Sequence, residues 1–177
     1  MRIVGGQFAR RTLEAPKGSR TRPTTDRVRE AVFNLLGARL DLGGAAVLDL
    51  FAGSGALGLE ALSRGAARAT FVERHGPTLA LARRNAASLG VEDRCAFVRA
   101  DAVVALRRGG LGPADLVLAD PPYSLDALAD LPALVRGLAP GGLLVLEHDA
   151  RHDFEGRAGW LLSRTYGGTV VTLFEGE

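Results

Sequence analysis

The chain has 177 residues, of which 47% are hydrophobic and 24% charged, and its formal net charge at pH 7 is +2. These values are typical of one soluble globular domain with a single core, and no stretch approaches the ~18 apolar residues of a membrane span. The N-terminus lacks the apolar region of a signal peptide. The single cysteine, Cys95, permits no internal disulfide, so we expect a cytoplasmic protein.

Positive charge is concentrated near the N-terminus. Residues 1–39 carry nine basic and three acidic side chains, a net charge of +6, whereas the rest of the chain carries 13 basic and 17 acidic ones. An arginine-rich arm on a mildly acidic body suits a polyanionic partner such as RNA, although a solvated tail would have the same composition. Five arginines are candidate RNA contacts: Arg10, Arg11, Arg20, Arg22 and Arg27.

Residues 1–40 are predicted to form a short basic extension, and residues 41–177 the main domain. Segments 2–4 and 12–14 are predicted to pair as a short hairpin, followed by a loop that is rich in proline and glycine. A helix is then predicted to begin at Thr24 or Thr25 and to end near Leu40, because apolar side chains recur at helical spacing.

From residue 45 onward, strands and helices alternate. The strands are near-continuous apolar runs, as expected when helices cover both faces of a parallel sheet. Five strands are predicted at 45–50, 69–73, 95–99, 116–119 and 143–147, and four helices at 54–63, 77–89, 102–108 and 125–138. Two further strand-like runs, 160–166 and 169–174, flank Gly167 and Gly168 and predict an antiparallel hairpin. The fold class is therefore α/β with a Rossmann-like sheet of seven strands.

Gly53, Gly55 and Gly58 lie where the first of these strands passes into a helix, with the spacing of a dinucleotide-binding fingerprint. Glycines allow the backbone to turn sharply and to approach a ligand closely, and the N-terminus of the helix offers unpaired N–H groups. The pattern predicts a ligand that contains adenosine. Nicotinamide dinucleotide, flavin and S-adenosylmethionine all remain open at this point.

Acidic side chains around the glycine turn narrow the choice of ligand. Asp49 precedes the turn, where a carboxylate would attract the ammonium of a methionine moiety and repel a pyrophosphate. Glu73 ends the second strand, twenty residues after Gly53, a position suited to the ribose hydroxyls. Asp101 follows the third strand and is placed either to accept a hydrogen bond from adenine or to cap the next helix. Together these residues favour S-adenosylmethionine.

The sequence Asp120-Pro121-Pro122-Tyr123 follows the fourth strand, at the sheet edge where open α/β folds place their sites. The lone pair of an exocyclic base amine is conjugated with the ring, so the amine is a poor nucleophile. Hydrogen bonds to the Asp120 carboxylate and the Pro121 carbonyl would draw the nitrogen toward tetrahedral geometry, and Tyr123 would stack on the base. The alternative interpretation is a proline-rich turn with Tyr123 packed on the protein body.

In its motifs the chain closely resembles the RsmD family, bacterial methyltransferases that modify guanine N2 in 16S ribosomal RNA. The resemblance covers essentially the whole length and rests on residues 2–6 (RIVGG), 22–36 (RPTTDRVREAVFNLL), 49–60 (DLFAGSGALGLE) and 120–123 (DPPY). It implies the seven-stranded class I methyltransferase fold with its antiparallel C-terminal hairpin. It also implies methyl transfer from S-adenosylmethionine to one guanine of 16S ribosomal RNA during assembly of the 30S particle.

The same resemblance assigns roles to individual residues. Asp120, Pro121, Pro122 and Tyr123 would hold the guanine. The cofactor would be held by residues of the glycine turn and of the ends of the next two strands: Asp49, Phe51, Gly53, Ser54, Gly55, Glu73, Arg74, Asp101 and Ala102.

Other functions share some of these features. A DNA adenine-N6 methyltransferase has the same Asp-Pro-Pro-Tyr chemistry, but such enzymes usually need a large target-recognition segment for which 177 residues leave no room. The alternative of a nicotinamide-dependent oxidoreductase rests on the glycine turn alone. Such an enzyme would have a parallel sixth strand in place of the hairpin. A non-catalytic RNA-binding module is disfavoured by the intact residues 120–123.

Two histidines, His148 and His152, have a spacing that binds metal when it falls on a helix. Their segment has the composition of a polar loop, and no third ligand is evident. We therefore expect no metal site, and we expect the protein to act as a monomer.

Overall fold

The computed structural model describes residues 1–16, 26–135 and 140–176. Within these ranges seven strands form one sheet: β1 (Ala46–Leu50), β2 (Arg68–Val72), β3 (Cys95–Val98), β4 (Leu116–Ala119), β5 (Leu143–His148), β6 (Trp160–Tyr166) and β7 (Thr169–Glu175). Their order across the sheet is β3-β2-β1-β4-β5-β7-β6. The predicted seven-stranded α/β fold is confirmed.

Strands β1 to β5 are mutually parallel, and β7 is antiparallel to both β5 and β6. The hairpin therefore inserts its second strand between β5 and its first strand. An oxidoreductase of the nicotinamide type predicts a parallel sixth strand here, and the structure contradicts that alternative.

Helices cover both faces of the sheet. They are α1 (Asp26–Gly37), α2 (Ala56–Ser63), α3 (Gly76–Leu89), α4 (Ala102–Arg108) and α5 (Leu131–Val135). No helix in the described part of the chain is long and apolar enough to cross a membrane. One buried apolar cluster contains residues of α1, α2 and α3, and the other contains residues of α4 and α5.

The predicted helix 125–138 is wrong at its start. Residues 128–130 form a 3₁₀ turn, and α5 begins only at Leu131. Pro132 explains the difference, because proline lacks an N–H and fits only the first turn of a helix. Residues 136–139 lie outside the described ranges.

The N-terminal predictions need two corrections. Segments 2–4 and 12–14 share a single antiparallel bridge, Arg2 to Thr12, and are not strands. Helix α1 ends at Gly37 and not near Leu40; beyond it the Leu36 carbonyl accepts from the N–H groups of both Arg39 and Leu40, which closes a final turn. The predicted caps Thr24 and Thr25 lie outside the described ranges.

The N-terminal segment is attached to the end of α2 by a buried carboxylate. Both Glu60 oxygens accept backbone hydrogen bonds, from the N–H of Val4 and of Gly5, each at 2.8 Å. Arg64 donates to the same carboxylate at 2.8 Å, and the fully buried Arg29 lies 3.7 Å from it. Ile3 and Leu13 also belong to the core cluster that contains β1 and β2 residues. Part of the predicted extension thus packs on the main sheet, and a domain boundary at residue 40 stays a prediction.

Candidate active site

A cleft of about 1270 Å³ opens at the carboxyl ends of β1, β2, β4 and β5. Parallel strands end at the same edge of a sheet, so residues distant in sequence meet there. The cleft brings together most of the residues that the sequence singled out: Asp49, Phe51, Gly53, Ser54, Glu73, Arg74, Asp101, Ala102, Asp120, Pro121, Pro122 and Tyr123.

The glycine turn joins β1 to α2 and has the backbone that its sequence predicts. Gly53 and Gly55 have φ values of 56° and 81°, in the left-handed region that favours glycine. Gly55 lies behind the cleft wall, where a Cβ would stand 3.3 Å from Phe71 Cε1. At Gly58 a Cβ would approach that same atom to 2.5 Å, so only glycine lets α2 pack this closely on the sheet.

Asp49 lies beneath this turn with only 1% of its surface exposed. Its Oδ2 accepts a hydrogen bond from the Gly58 N–H at 2.9 Å. Burial raises the pKa of Asp49 to about 7, the Gly58 N–H opposes that rise, and the nearby charges of Asp120 and Glu73 add to it. The carboxyl is therefore poised to ionise near neutral pH when a cation comes close.

Glu73 is oriented by the backbone at the end of β2. Its two oxygens accept hydrogen bonds from the N–H groups of Gly53, at 3.1 Å, and His75, at 2.8 Å. A carboxylate has about four lone-pair sites, so these two bonds hold the group in place while it keeps capacity for ligand hydroxyls.

Asp101 adopts the capping arrangement that the sequence left open. Its Oδ1 accepts from the Val104 N–H at 3.0 Å, at the N-terminus of α4. The residue also lines the cleft, so a capping role and a ligand contact are compatible.

The Asp120–Tyr123 turn follows β4, the strand beside β1, and lines the same cleft as the glycine turn. The Pro122 carbonyl accepts from the Leu125 N–H at 2.9 Å and closes the turn. The Tyr123 hydroxyl lies 3.0 Å from Thr169 Oγ1 at the start of β7. Burial raises the pKa of Tyr123, the Thr169 hydrogen bond opposes the rise, and the negative charges of Asp120, Glu147 and Asp149 add to it. The phenol thus stays protonated at neutral pH.

Two parts of the cleft were not predicted from the sequence. Glu147, in β5, contributes a further carboxylate, and the strand-end rule that selected Asp120 would have found it. Residues 165–169, the turn of the β6–β7 hairpin, also line the cleft. Gly167 and Gly168 predict the turn itself but not its place in the cleft, which depends on the pairing of β7 with β5.

The candidate RNA contacts are distributed unevenly. Arg27 lines the cleft, whereas Arg10 and Arg11 do not. The Arg11 guanidinium donates to the Ser88 carbonyl at 2.6 Å, near the end of α3 that lies away from the cleft. Arg20 and Arg22 lie outside the described residues.

His148 and His152 make contacts within the protein. One ring nitrogen of His148 lies 2.7 Å from Thr172 Oγ1, and His152 Nδ1 lies 3.2 Å from the Asp149 carboxylate. Among the described residues no group of three or more His, Cys, Asp or Glu side chains is arranged to hold a metal ion.

The sheet order with its antiparallel β7 and the cleft at the carboxyl edge define a class I methyltransferase. A family model described as "Conserved hypothetical protein 95" matches residues 1–175. The chain belongs to this family, the RsmD family that its motifs resemble, and is a methyltransferase.

Individual relatives match over most of their length. YlbH of Bacillus subtilis is 36% identical over 99% of this chain and 98% of its own. A protein of Escherichia coli K12 named "Ribosomal RNA small subunit methyltransferase D" is 38% identical over 93% of this chain and 83% of its own. The solved structure of yhhF from Escherichia coli superposes with a TM-score of 0.85 at 36% identity, covering 100% of this chain and 98% of that one.

Proposed function

We propose that this protein transfers a methyl group from S-adenosylmethionine to the exocyclic N2 of one guanine in 16S ribosomal RNA, during assembly of the 30S particle. The observation that carries the proposal is the position of residues 120–123, which line the same cleft as the glycine turn. The Escherichia coli relative is named for a ribosomal RNA substrate. We also propose that the enzyme works as a cytoplasmic monomer without a metal ion.

The residues of the cleft fit this cofactor. Asp49 offers a buried carboxylate to the ammonium of the methionine moiety, and the glycine turn admits that moiety without a Cβ in the way. Glu73 is oriented toward ribose hydroxyls by its two backbone hydrogen bonds. Phe51, Arg74, Asp101 and Ala102 complete the wall for the nucleoside. When bound, S-adenosylmethionine supplies an electrophilic methyl group on a sulfonium.

Residues 120–123 prepare the amine for attack on that methyl group. The Asp120 carboxylate and the Pro121 carbonyl accept the two N2 hydrogens, which localises the nitrogen lone pair and directs it toward the cofactor side. The Pro122 carbonyl is already used within the turn, so it holds the turn's shape. No strong base is needed, because the amine proton becomes acidic as the new C–N bond forms. Orientation of the two reactants supplies most of the rate enhancement.

Tyr123 and Thr169 hold the plane of the base. The hydrogen bond between their hydroxyls holds the phenol ring at the cleft wall, where it can stack on a purine. The target base must leave its stack to enter the cleft, at a cost of a few kcal/mol that is smallest for an unpaired base. Arg27, on the cleft rim, is placed to pair with a phosphate of the same nucleotide segment.

The test is a labelled-methyl assay with three substrates: 30S particles, protein-free 16S ribosomal RNA and duplex DNA. We expect incorporation into one of the two RNA substrates, with the product identified as N2-methylguanosine by nuclease digestion and mass spectrometry. Incorporation into DNA as N6-methyldeoxyadenosine would favour the adenine-specific alternative. No incorporation into either RNA, although calorimetry detects bound cofactor, would refute the proposal.

A further inference from the structure

Glu147 is a carboxylate in the cleft that the transfer step described above does not use. Strands β4 and β5 are parallel, with Ala119 opposite Leu146. Asp120 directly follows the last β4 residue of this register and Glu147 follows that residue's partner, so the two residues leave neighbouring strands on the same side of the sheet. Both residues line the cleft.

Glu147 lines the same cleft as residues 120–123, the proposed guanine-binding turn. Its side chain is buried, with 2% of the residue exposed, and its charge is among those that raise the pKa of Tyr123 after the larger effect of burial. On the other side, Glu147 pairs with Val171 in β7. Thr169, two residues earlier on the same face of that strand, contacts the Tyr123 hydroxyl.

A purine held by its N2 amine at Asp120 presents its N1 position to the neighbouring strand. Guanine and 2-aminopurine both carry the 2-amino group, but N1 carries a hydrogen and is a donor in guanine, whereas N1 is an acceptor in 2-aminopurine. A carboxylate at this position accepts from the guanine N1–H and opposes the N1 lone pair of 2-aminopurine. A site built to bond one polar group rejects analogues that leave its own polar atoms unpaired.

We propose that Glu147 selects guanine by accepting a hydrogen bond from its N1–H while Asp120 holds the N2 amine. This inference rests on the proposed function and names the residue that gives the site its base specificity. Glu147 is a specificity-determining residue, and the chemistry of transfer remains with residues 120–123.

The test compares two RNA substrates that differ only at the target nucleotide, which is guanine in one and 2-aminopurine in the other. Both keep the N2 amine, so both can accept the methyl group. We expect the unchanged protein to prefer guanine by roughly 10- to 100-fold in kcat/KM, the range of a hydrogen bond to a charged group. Glu147→Gln presents an amide that can donate to N1 or accept from it, so the preference should fall to within about threefold.

The matched control is Glu155→Gln, which removes an exposed carboxylate after β5, outside the cleft, and should keep the preference for guanine. If Glu147→Gln lowers kcat/KM equally on both RNAs, the inference is overturned and Glu147 has only a structural role. Equal rates of the unchanged protein on the two RNAs would overturn it even if the variant does not fold. Failure of the unchanged protein on both RNAs would instead refute the proposed function.

Discussion

The two walls of the cleft are built in different ways. The proposed cofactor wall comes mostly from β1, α2 and β2, within residues 46–73, and Arg74, Asp101 and Ala102 add to it. Its main part is close-packed, because Gly58 has no room for a Cβ beside Phe71. The wall for the target base comes from the ends of β4 and β5 and from the β6–β7 hairpin. These strands are paired in the sheet, and the Asp120–Tyr123 turn is joined to the hairpin by the contact between Tyr123 and Thr169.

Under the proposed function, this difference separates cofactor binding from the choice of substrate. A tightly packed wall tolerates little change. A wall assembled from turns can alter its contacts without disturbing the sheet. We therefore expect substitutions on the two walls to have separable effects on cofactor affinity and on turnover.

The largest difference between the effect on turnover and the effect on cofactor affinity is expected at Asp120. In Asp120→Ala the amine loses one of its two acceptors, so methyl transfer to RNA should fall by at least about 100-fold. Cofactor affinity, measured by calorimetry with S-adenosylhomocysteine, should be nearly unchanged. The control is Asp126→Ala, at an exposed carboxylate in the following segment. A parallel loss of affinity in Asp120→Ala would assign Asp120 to the cofactor wall.

Gly58→Ala tests the packing of the cofactor wall. The added Cβ would lie 2.5 Å from Phe71 Cε1 and 3.1 Å from Asp49 Oδ2, so the free energy of unfolding should fall by about 1–3 kcal/mol. Cofactor affinity should fall as well, because Asp49 is displaced. Chemical denaturation and calorimetry measure the two effects. Gly37→Ala is the control, since nothing lies within 4 Å of its added Cβ; equal stability of the two variants would contradict the packing argument.

The pH dependence of binding tests the charge of the cofactor wall. The pKa of Asp49 is raised to about 7, chiefly by burial, and a cationic ligand prefers the ionised carboxylate. Affinity for S-adenosylmethionine should therefore increase about tenfold between pH 5.5 and 7. The stability of the unliganded protein has the opposite pH dependence. The folded state binds the Asp49 proton more tightly than the unfolded state does, so the free energy of unfolding falls as the pH rises from about 4 to about 7. Asp49→Asn should abolish both trends, and a pH-independent affinity in the unchanged protein would exclude this role.

The smallest effect is expected from the arginines that lie away from the cleft. Each phosphate contact that is lost reduces the slope of log affinity against log salt by about 0.7–0.9. If Arg10 and Arg11 contact RNA, their joint replacement by glutamine should reduce the slope by about 1.5. Arg107 and Arg108, exposed at the end of α4, provide a control pair. An unchanged slope in the first variant would make Arg10 and Arg11 solvated residues of the arm.

Sequence alone predicted the cofactor wall better than the target wall for a physical reason. The glycine turn requires left-handed φ at Gly53 and Gly55 and close packing at Gly58. These requirements act within a few residues of one another, so they appear in the sequence as glycines at a fixed spacing. The contact of Tyr123 with Thr169 joins residues 46 positions apart. This contact exists only because β7 pairs with β5, and the spacing of residues in the sequence does not predict that pairing.

The same reasoning explains the errors at the ends of helices. Apolar spacing predicted a helix over 125–138, but the backbone of Pro132 sets the start of α5. At the N-terminus, segments 2–4 and 12–14 were predicted to pair as a hairpin, and they share one antiparallel bridge. At α5 a backbone restraint overrides the hydrophobic pattern.

The attachment of residues 4 and 5 to Glu60 has a consequence for motion. Chain ends usually fray, and their amide hydrogens exchange rapidly with solvent. Here the two N–H groups end on a fully buried carboxylate that also faces arginine. Opening them would remove two hydrogen bonds from a buried charge, so the amide protons of Val4 and Gly5 should exchange as slowly as those of the central strands. The first few residues of this chain would then report on unfolding of the whole sheet.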